Sequence, residues 1–206
     1  LILAPFTIQE ILKKRNYILE NYKYYAVLGI TSVTIFNSIV YYSLNFTQVI
    51  SGVLMISTIP VMIIFISSIL KIEKTNTFQI LGVACSFMGV VLIITKANLG
   101  ILINLDFNKG DLTMVFGMLS WATYSALLKK KKHKLSQLTL LEVIISFGFI
   151  FLIPIYFIEY QMGYRIVLDQ NFLMILFYVV LFPGLASFIF WIKGLSVIGA
   201  NRAGVF

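Results

Sequence analysis

The residues equipped for chemistry in this sequence are uncharged and recur at helical spacing. Thr34, Asn37, Ser38, Tyr41 and Asn45 fall at i, i+3, i+4, i+7 and i+11, which places them on one face of a helix. Thr113, Gly117, Ser120 and Tyr124 form a second stripe, and beside it Trp121 lies ~15 Å from the start of its segment. A third segment carries Ser57, Thr58 and Pro60 at the same depth, and a fourth carries Pro183, Gly184 and Ser187. Hydroxyls, amides and rings of this kind hold a small molecule by hydrogen bonds and ring contacts. They do not break bonds. The paired carboxylates, His cluster or Ser/His pair that an embedded enzyme needs do not occur at depth, so no catalytic residue is expected. Cys85 is the sole cysteine and lies mid-segment, which offers neither a disulfide nor a metal site, and no cofactor is implied.

The elements that carry these groups are membrane spans. The chain has 206 residues, 60% hydrophobic and 12% charged, with a mean hydropathy of +0.96. A soluble domain has about a quarter of its residues charged. Full spans are predicted at about 24–46, 48–70, 77–95, 111–128, 139–158 and 172–192, with partial ones at 1–8 and after Ile198, as though the chain were cut at both ends. The fold class is therefore all-α, a polytopic transmembrane helix bundle of about six complete spans and two partial ones. The segment from Asp111 to Lys134 anchors it. Residues 112–128 carry no charge and reach ~25 Å, with an acid at the N-terminal end of the dipole and lysines past the C-terminal end.

A net charge of +8 would otherwise suggest nucleic acid, but the basic residues sit in short loops between apolar runs. Loops 10–23, 71–76, 129–138 and 193–202 hold 13 of the 16 Lys and Arg, against 3 in the alternate loops. The positive-inside rule then makes those four loops cytoplasmic and requires no anionic partner. The expected partners are the lipid bilayer and a small-molecule substrate, with no nucleic acid; the oligomeric state is unspecified. Glu142, Glu159 and Lys193 lie near span ends, where each is expected to reach interfacial water. His133 is expected to be a solvated loop residue. Gly82, Cys85, Ser86 and Gly89 read as a helix-packing seam of small residues.

A weak internal repeat accompanies this pattern. Moving residues 27–55 by 151 places them on 178–206 without a gap, and both copies pass through a short turn into a further apolar run. Five spans separate the copies, so the copies have opposite orientation. Inverted repeats of this kind mark transporters, whose substrate site lies near the midplane.

Particular residues also resemble a known family. Gly110-Asp111-Leu112, followed by Leu119-Ser120-Trp121-Ala122 and Tyr124, is similar to the opening of the second repeat of EamA-type members of the drug/metabolite transporter superfamily. Ser51-Gly52 through Ile59-Pro60, then Glu73, Gln79-x-x-Gly82 and Gly89 to Leu92, resembles the end of the first repeat, and Gly194-Leu195 with Ala200-x-x-Ala203 the matching turn of the second. The resemblance implies ten spans in two inverted five-helix repeats with both termini cytoplasmic. Residues 1–95 would then belong to the first repeat, 96–110 to an external loop that lies at the interface, and 111–206 to the second repeat. Lys71-Ile72-Glu73 departs from the family's usual Leu-Gly-Glu.

The expected function is a transporter of small amino-acid-like or other neutral or zwitterionic metabolites in the plasma (inner) membrane of a bacterium. Alternating access is the expected mechanism and export a possible direction. The pathway is assigned to Thr34, Asn37, Ser38, Tyr41, Thr58, Ser120, Trp121, Tyr124 and Ser187, and helix bending to Pro60 and Pro183. The competing reading is a non-transporting membrane scaffold, in which the polar groups would merely join helices.

Overall fold

The computed structural model describes residues 2–73, 76–95, 98, 100, 103, 108–131, 133–166 and 168–203, and these are helical apart from short connections. In chain order the helices are α1 (Ala4–Lys13), α2 (Arg15–Glu20), α3 (Tyr22–Ser43), α4 (Val49–Ile56), α5 (Ile59–Ile69), α6 (Thr77–Thr95), α7 (Lys109–Lys130), α8 (Gln137–Gln161), α9 (Gln170–Ile198) and α10 (Ala200–Ala203). Most of the predicted loop 96–110, together with Lys74 and Lys132, lies outside the described residues.

Four of the described helical stretches are long and apolar enough to cross a membrane: Tyr22–Ser43, Ile50–Ile69, Gln137–Gln161 and Gln170–Ile198. The sequence suggested six full spans. In the stretch 77–95, the qualifying apolar helix among the described residues is the shorter Thr77–Gly89. The stretch 111–128 forms α7, which packs against α3, α4, α5, α9 and α10. Ten of its residues are buried, among them Met114, Met118, Ala122 and Tyr124. A helix ringed by protein meets little lipid and tolerates more polar side chains than one facing hydrocarbon. The outward faces are apolar instead: Phe177, Phe182 and Phe190 of α9 are exposed, as are Ile150 and Phe157 of α8. So much apolar surface suits a bilayer, and the chain is an integral membrane protein.

The ends of α7 are fixed by local chemistry. Asn108 Oδ1 accepts from the Gly110 and Asp111 amides at 2.7 and 3.3 Å, while Asp111 Oδ2 accepts from the Asn108 amide at 2.8 Å. This reciprocal box satisfies donors that a helix N-terminus leaves open. Thr47 donates to the other Asp111 oxygen, and Ser43 Oγ lies 2.8 Å from Thr113 Oγ1. The turn after α3 is thereby bound to the start of α7.

The opposite end of the bundle gathers the basic loops. Glu10 accepts from Lys14 at 2.6 Å, from the Ser136 amide at 3.0 Å and from Thr139 at 2.6 Å. These donors, Lys14 foremost and then Ser136 and Thr139, hold its carboxyl at about 2 against an ordinary 4.5. Lys131 reaches Asn21, and Lys129 donates to the Leu195 carbonyl at 3.2 Å. Glu73 accepts from the Ala200 and Asn201 amides at 3.2 and 3.1 Å. All four loops that the lysine count grouped together therefore meet at one end. His133 is a correction within this cluster. It is half-buried, its ring 5.7 Å from Tyr24, with Nε2 3.1 Å from the Leu128 carbonyl, and burial lowers its pKa. The lysines around it leave its ring sheltered by tyrosines rather than solvated.

Two further features shape the bundle. First, α3 and α8 cross at glycines: a methyl at Gly29 would stand 2.6 Å from the Gly148 nitrogen, and one at Gly148 would stand 2.5 Å from Val33 Cβ. Only hydrogen fits at either position. No described residue packs on the seam expected at Gly82 and Gly89: a methyl at either would meet nothing within 4 Å among the described residues, and Cys85 is exposed. Second, α3 and α9 each contain a π-helical stretch, Ile30–Ile35 and Val180–Ala186. Adding 151 to the first gives 181–186, within one residue of the second, and adding 151 to Val49, where α4 begins, gives Ala200, where α10 begins.

Candidate functional site

Three helices and the N-terminal residues enclose a cleft of about 830 Å³. Val33, Asn37 and Tyr41 line it from α3, at i, i+4 and i+8. Glu142, Ile145, Ser146 and Phe149 line it from α8, at i, i+3, i+4 and i+7, and Val179, Val180, Pro183, Gly184, Leu185 and Phe188 from α9. Ile2 and Leu3 complete the wall. A mostly apolar hollow of this size with a few convergent polar groups has the character of a small-molecule site.

The glycine crossing positions two of these walls. Because Gly29 and Gly148 let α3 and α8 touch backbone to backbone, Thr34 Oγ1 reaches the Gly148 carbonyl at 2.9 Å. Thr34 thus faces the seam, while Asn37, nearly one turn on, faces the cleft. Asn37 Nδ2 donates to the carbonyls of Ser32 and Val33 at 3.2 and 3.0 Å, which leaves Oδ1 as its acceptor. The π stretch makes the first of these bonds reachable across five residues.

Of the residues assigned to the pathway, Asn37, Tyr41 and the helix-bending Pro183 line the cleft. The others are placed elsewhere. Thr34 is buried in the α3–α8 seam. Ser120 Oγ donates to the Thr31 carbonyl at 2.7 Å, joining α7 to the π stretch of α3. Thr58 bonds back to the Met55 carbonyl at 2.6 Å in the turn between α4 and α5. Ser38 is half-buried and Ser187 exposed, and neither is on the cleft wall. Pro60 stands at the start of α5, where its missing N–H has no intrahelical partner to lose. It begins a helix after the break at Ser57 and Thr58, whereas Pro183 lies inside the second π stretch.

Trp121 and Tyr124 sit directly behind the cleft. Trp121 is the centre of an aromatic cluster, with ring centroids 4.6 Å from Phe36, 5.2 Å from Tyr124, 5.2 Å from Phe188 and 5.6 Å from Trp191. Phe188 belongs both to this cluster and to the cleft wall. Trp191 Nε1 donates to Ser125 Oγ at 3.2 Å, which in turn donates to the Trp121 carbonyl at 2.9 Å. Tyr124 is fully buried.

Glu142 is the cleft residue that the pathway assignment left out. Its depth, about one turn inside the span, suggested a side chain reaching out to water. The structure places it half-buried on the cleft wall. The signal was present in the spacing of Glu142, Ile145, Ser146 and Phe149, a single face of α8.

Residues 1–95 and 108–206 match the EamA-like transporter family. The chain belongs to this family. That family is one of membrane transporters. It is similar to the uncharacterized transporter YyaM of Bacillus subtilis, 23% identical over 193 residues, which are 94% of this chain and 63% of that one. An uncharacterized transporter of Archaeoglobus fulgidus is 31% identical over 129 residues, 63% of this chain and 44% of that one. The uncharacterized transporter YetK of Bacillus subtilis is 25% identical over 186 residues, 87% of this chain and 54% of that one. The chain thus spans between 44% and 63% of the length of these relatives. No solved structure resembles it significantly.

Proposed function

We propose that the protein carries small amphipathic metabolites, amino-acid-like or otherwise neutral or zwitterionic, across the plasma membrane by alternating access. The observation that carries this reading is the cleft between α3, α8 and α9, where Asn37 and Tyr41 meet an apolar wall. Trp121, Tyr124 and Phe188 form a rigid aromatic backing for that wall. Thr34 and Ser120 set the positions of the helices, and Ser38, Thr58 and Ser187 reach the pathway in another conformation of the cycle.

The coincidence of π stretches and helix starts at a spacing of 151 residues supports two copies of one unit in opposite orientation, within the ten-span arrangement of the family. On this reading 1–95 and 111–206 are parts of the two repeats. The basic loops face the cytoplasm, because the end where they cluster obeys the positive-inside rule.

Metabolite-uptake and efflux screens on the full-length protein test the proposal, followed by Asn37→Ala and Trp121→Ala at matched membrane expression. Both variants are expected to lower transport at least tenfold. Wild-type rates in both would remove the cleft from the pathway.

A further inference from the structure

We propose that Glu142 is the counter-ion for an ammonium group, so that the cleft selects amine-bearing amphipathic molecules. This deepens the reading of the cleft as the substrate site and rests on it. Among the described residues that line the cleft, Glu142 is the one acidic side chain, and no Lys or Arg is among them. A carboxylate half-buried within a membrane helix is costly unless a cation or several donors face it, and such a residue marks a functional path by default. The only ion pair found among the described residues is Lys14 with Glu10, which is bound to Ser136 and Thr139 about one turn before Glu142 and so is already matched there. Lys134, the lysine nearest in sequence, has its ammonium 5.6 Å from the Tyr17 ring, while Lys129 is bound to the Leu195 carbonyl and Lys131 to Asn21.

The rest of the wall suits the same ligand. Asn37 gives its amide hydrogens to its own helix, so it presents an acceptor to the cleft. Tyr41 and Ser146 add hydroxyl oxygens. An ammonium has three donors and no acceptor, which matches a wall of one carboxylate and several neutral oxygens. Phe149, Phe188 and Val180 then receive the apolar body of the molecule. A ligand whose only charge is a phosphate or carboxylate would find repulsion at Glu142 and no cation on the described wall to offset it, whereas an amino-acid-like zwitterion still offers its ammonium.

Equilibrium binding to the full-length protein in lipid nanodiscs tests this with phenethylamine and its uncharged isostere 2-phenylethanol. Wild-type protein should prefer the amine. Glu142→Gln should weaken phenethylamine at least tenfold and leave 2-phenylethanol within twofold, and Glu142→Asp should restore most of the preference. Equal binding of phenethylamine by wild type and Glu142→Gln would overturn the assignment, as would an equal loss of both ligands, which would mark a merely structural role. A wild-type protein that bound neither would also overturn it. The transport reading would still be decided separately, by the Asn37 and Trp121 variants.

Discussion

Lys71 has a φ of +52°, a left-handed conformation that suits glycine. Its amide donates to the Ser68 carbonyl and the Ile72 amide to the Ser67 carbonyl, so α5 closes with a tight turn despite the lysine. The departure from the family's Leu-Gly-Glu does not remove the turn. Lys71→Gly is expected to stabilise the protein by up to about 1 kcal/mol, after allowing for the extra freedom of glycine in the unfolded chain, and thermal unfolding in detergent measures it. Glu10 supplies a pH test at the same scale. Its carboxyl titrates at about 2 in the fold against an ordinary 4.5, so its tie to Lys14, Ser136 and Thr139 contributes fully above pH 4.5 and fades as pH falls toward 2. Melting temperatures should drop through that window, and Glu10→Gln should flatten the dependence. Residue identities alone showed where polar groups lie along each helix. They did not show which way Glu142 faces or what shelters His133, since both depend on the neighbour each helix meets.

The crossing of α3 and α8 is the element-scale feature that most controls the cleft. Gly148→Ala would push a methyl to 2.5 Å from Val33 Cβ and 2.9 Å from the Gly29 carbonyl oxygen, so the helices must separate. A loss of at least 1–3 kcal/mol, of the order of core overpacking, is expected, read as lower folded yield by size-exclusion chromatography. Thr34→Val removes one interhelical hydrogen bond with little change of shape and should cost only about 0.6–1 kcal/mol. A comparable loss in both variants would show that the hydrogen bond, rather than the close approach, holds the crossing. Here the sequence was partly legible. Helix positions came from hydropathy to within a few residues, because a run of apolar side chains has one solution in lipid. The packing seam did not. Gly82 and Gly89 have the spacing of a helix contact, but such spacing acts only where a second helix lies against it, and Gly29 and Gly148 are where it does.

For the whole molecule, sidedness is the decisive expectation. In a Cys85→Ser background, a membrane-impermeant maleimide should label Gly163→Cys on intact cells, and Lys134→Cys only after permeabilisation. The reverse pattern would invert the proposed orientation. The common location of the four basic loops was readable from lysine counts because charge in short loops is governed by the membrane and not by packing. The number of spans was less so, because α7 owes its polarity to being enclosed by its neighbours.

The π stretches of α3 and α9 have a consequence for how such a helix is inherited. Each holds, in effect, one residue more than a plain α-turn, and one residue corresponds to a rotation of about 100°. Deleting any single position from Ile30–Ile35 would keep α3 helical and apolar, yet swing Asn37 and Tyr41 off the cleft relative to Gly29. The fold could absorb that deletion as a slightly shorter span, but the cleft wall would lose its phase. In this protein the spare residue is a setting dial between the half of the helix that grips its neighbour and the half that lines the cleft.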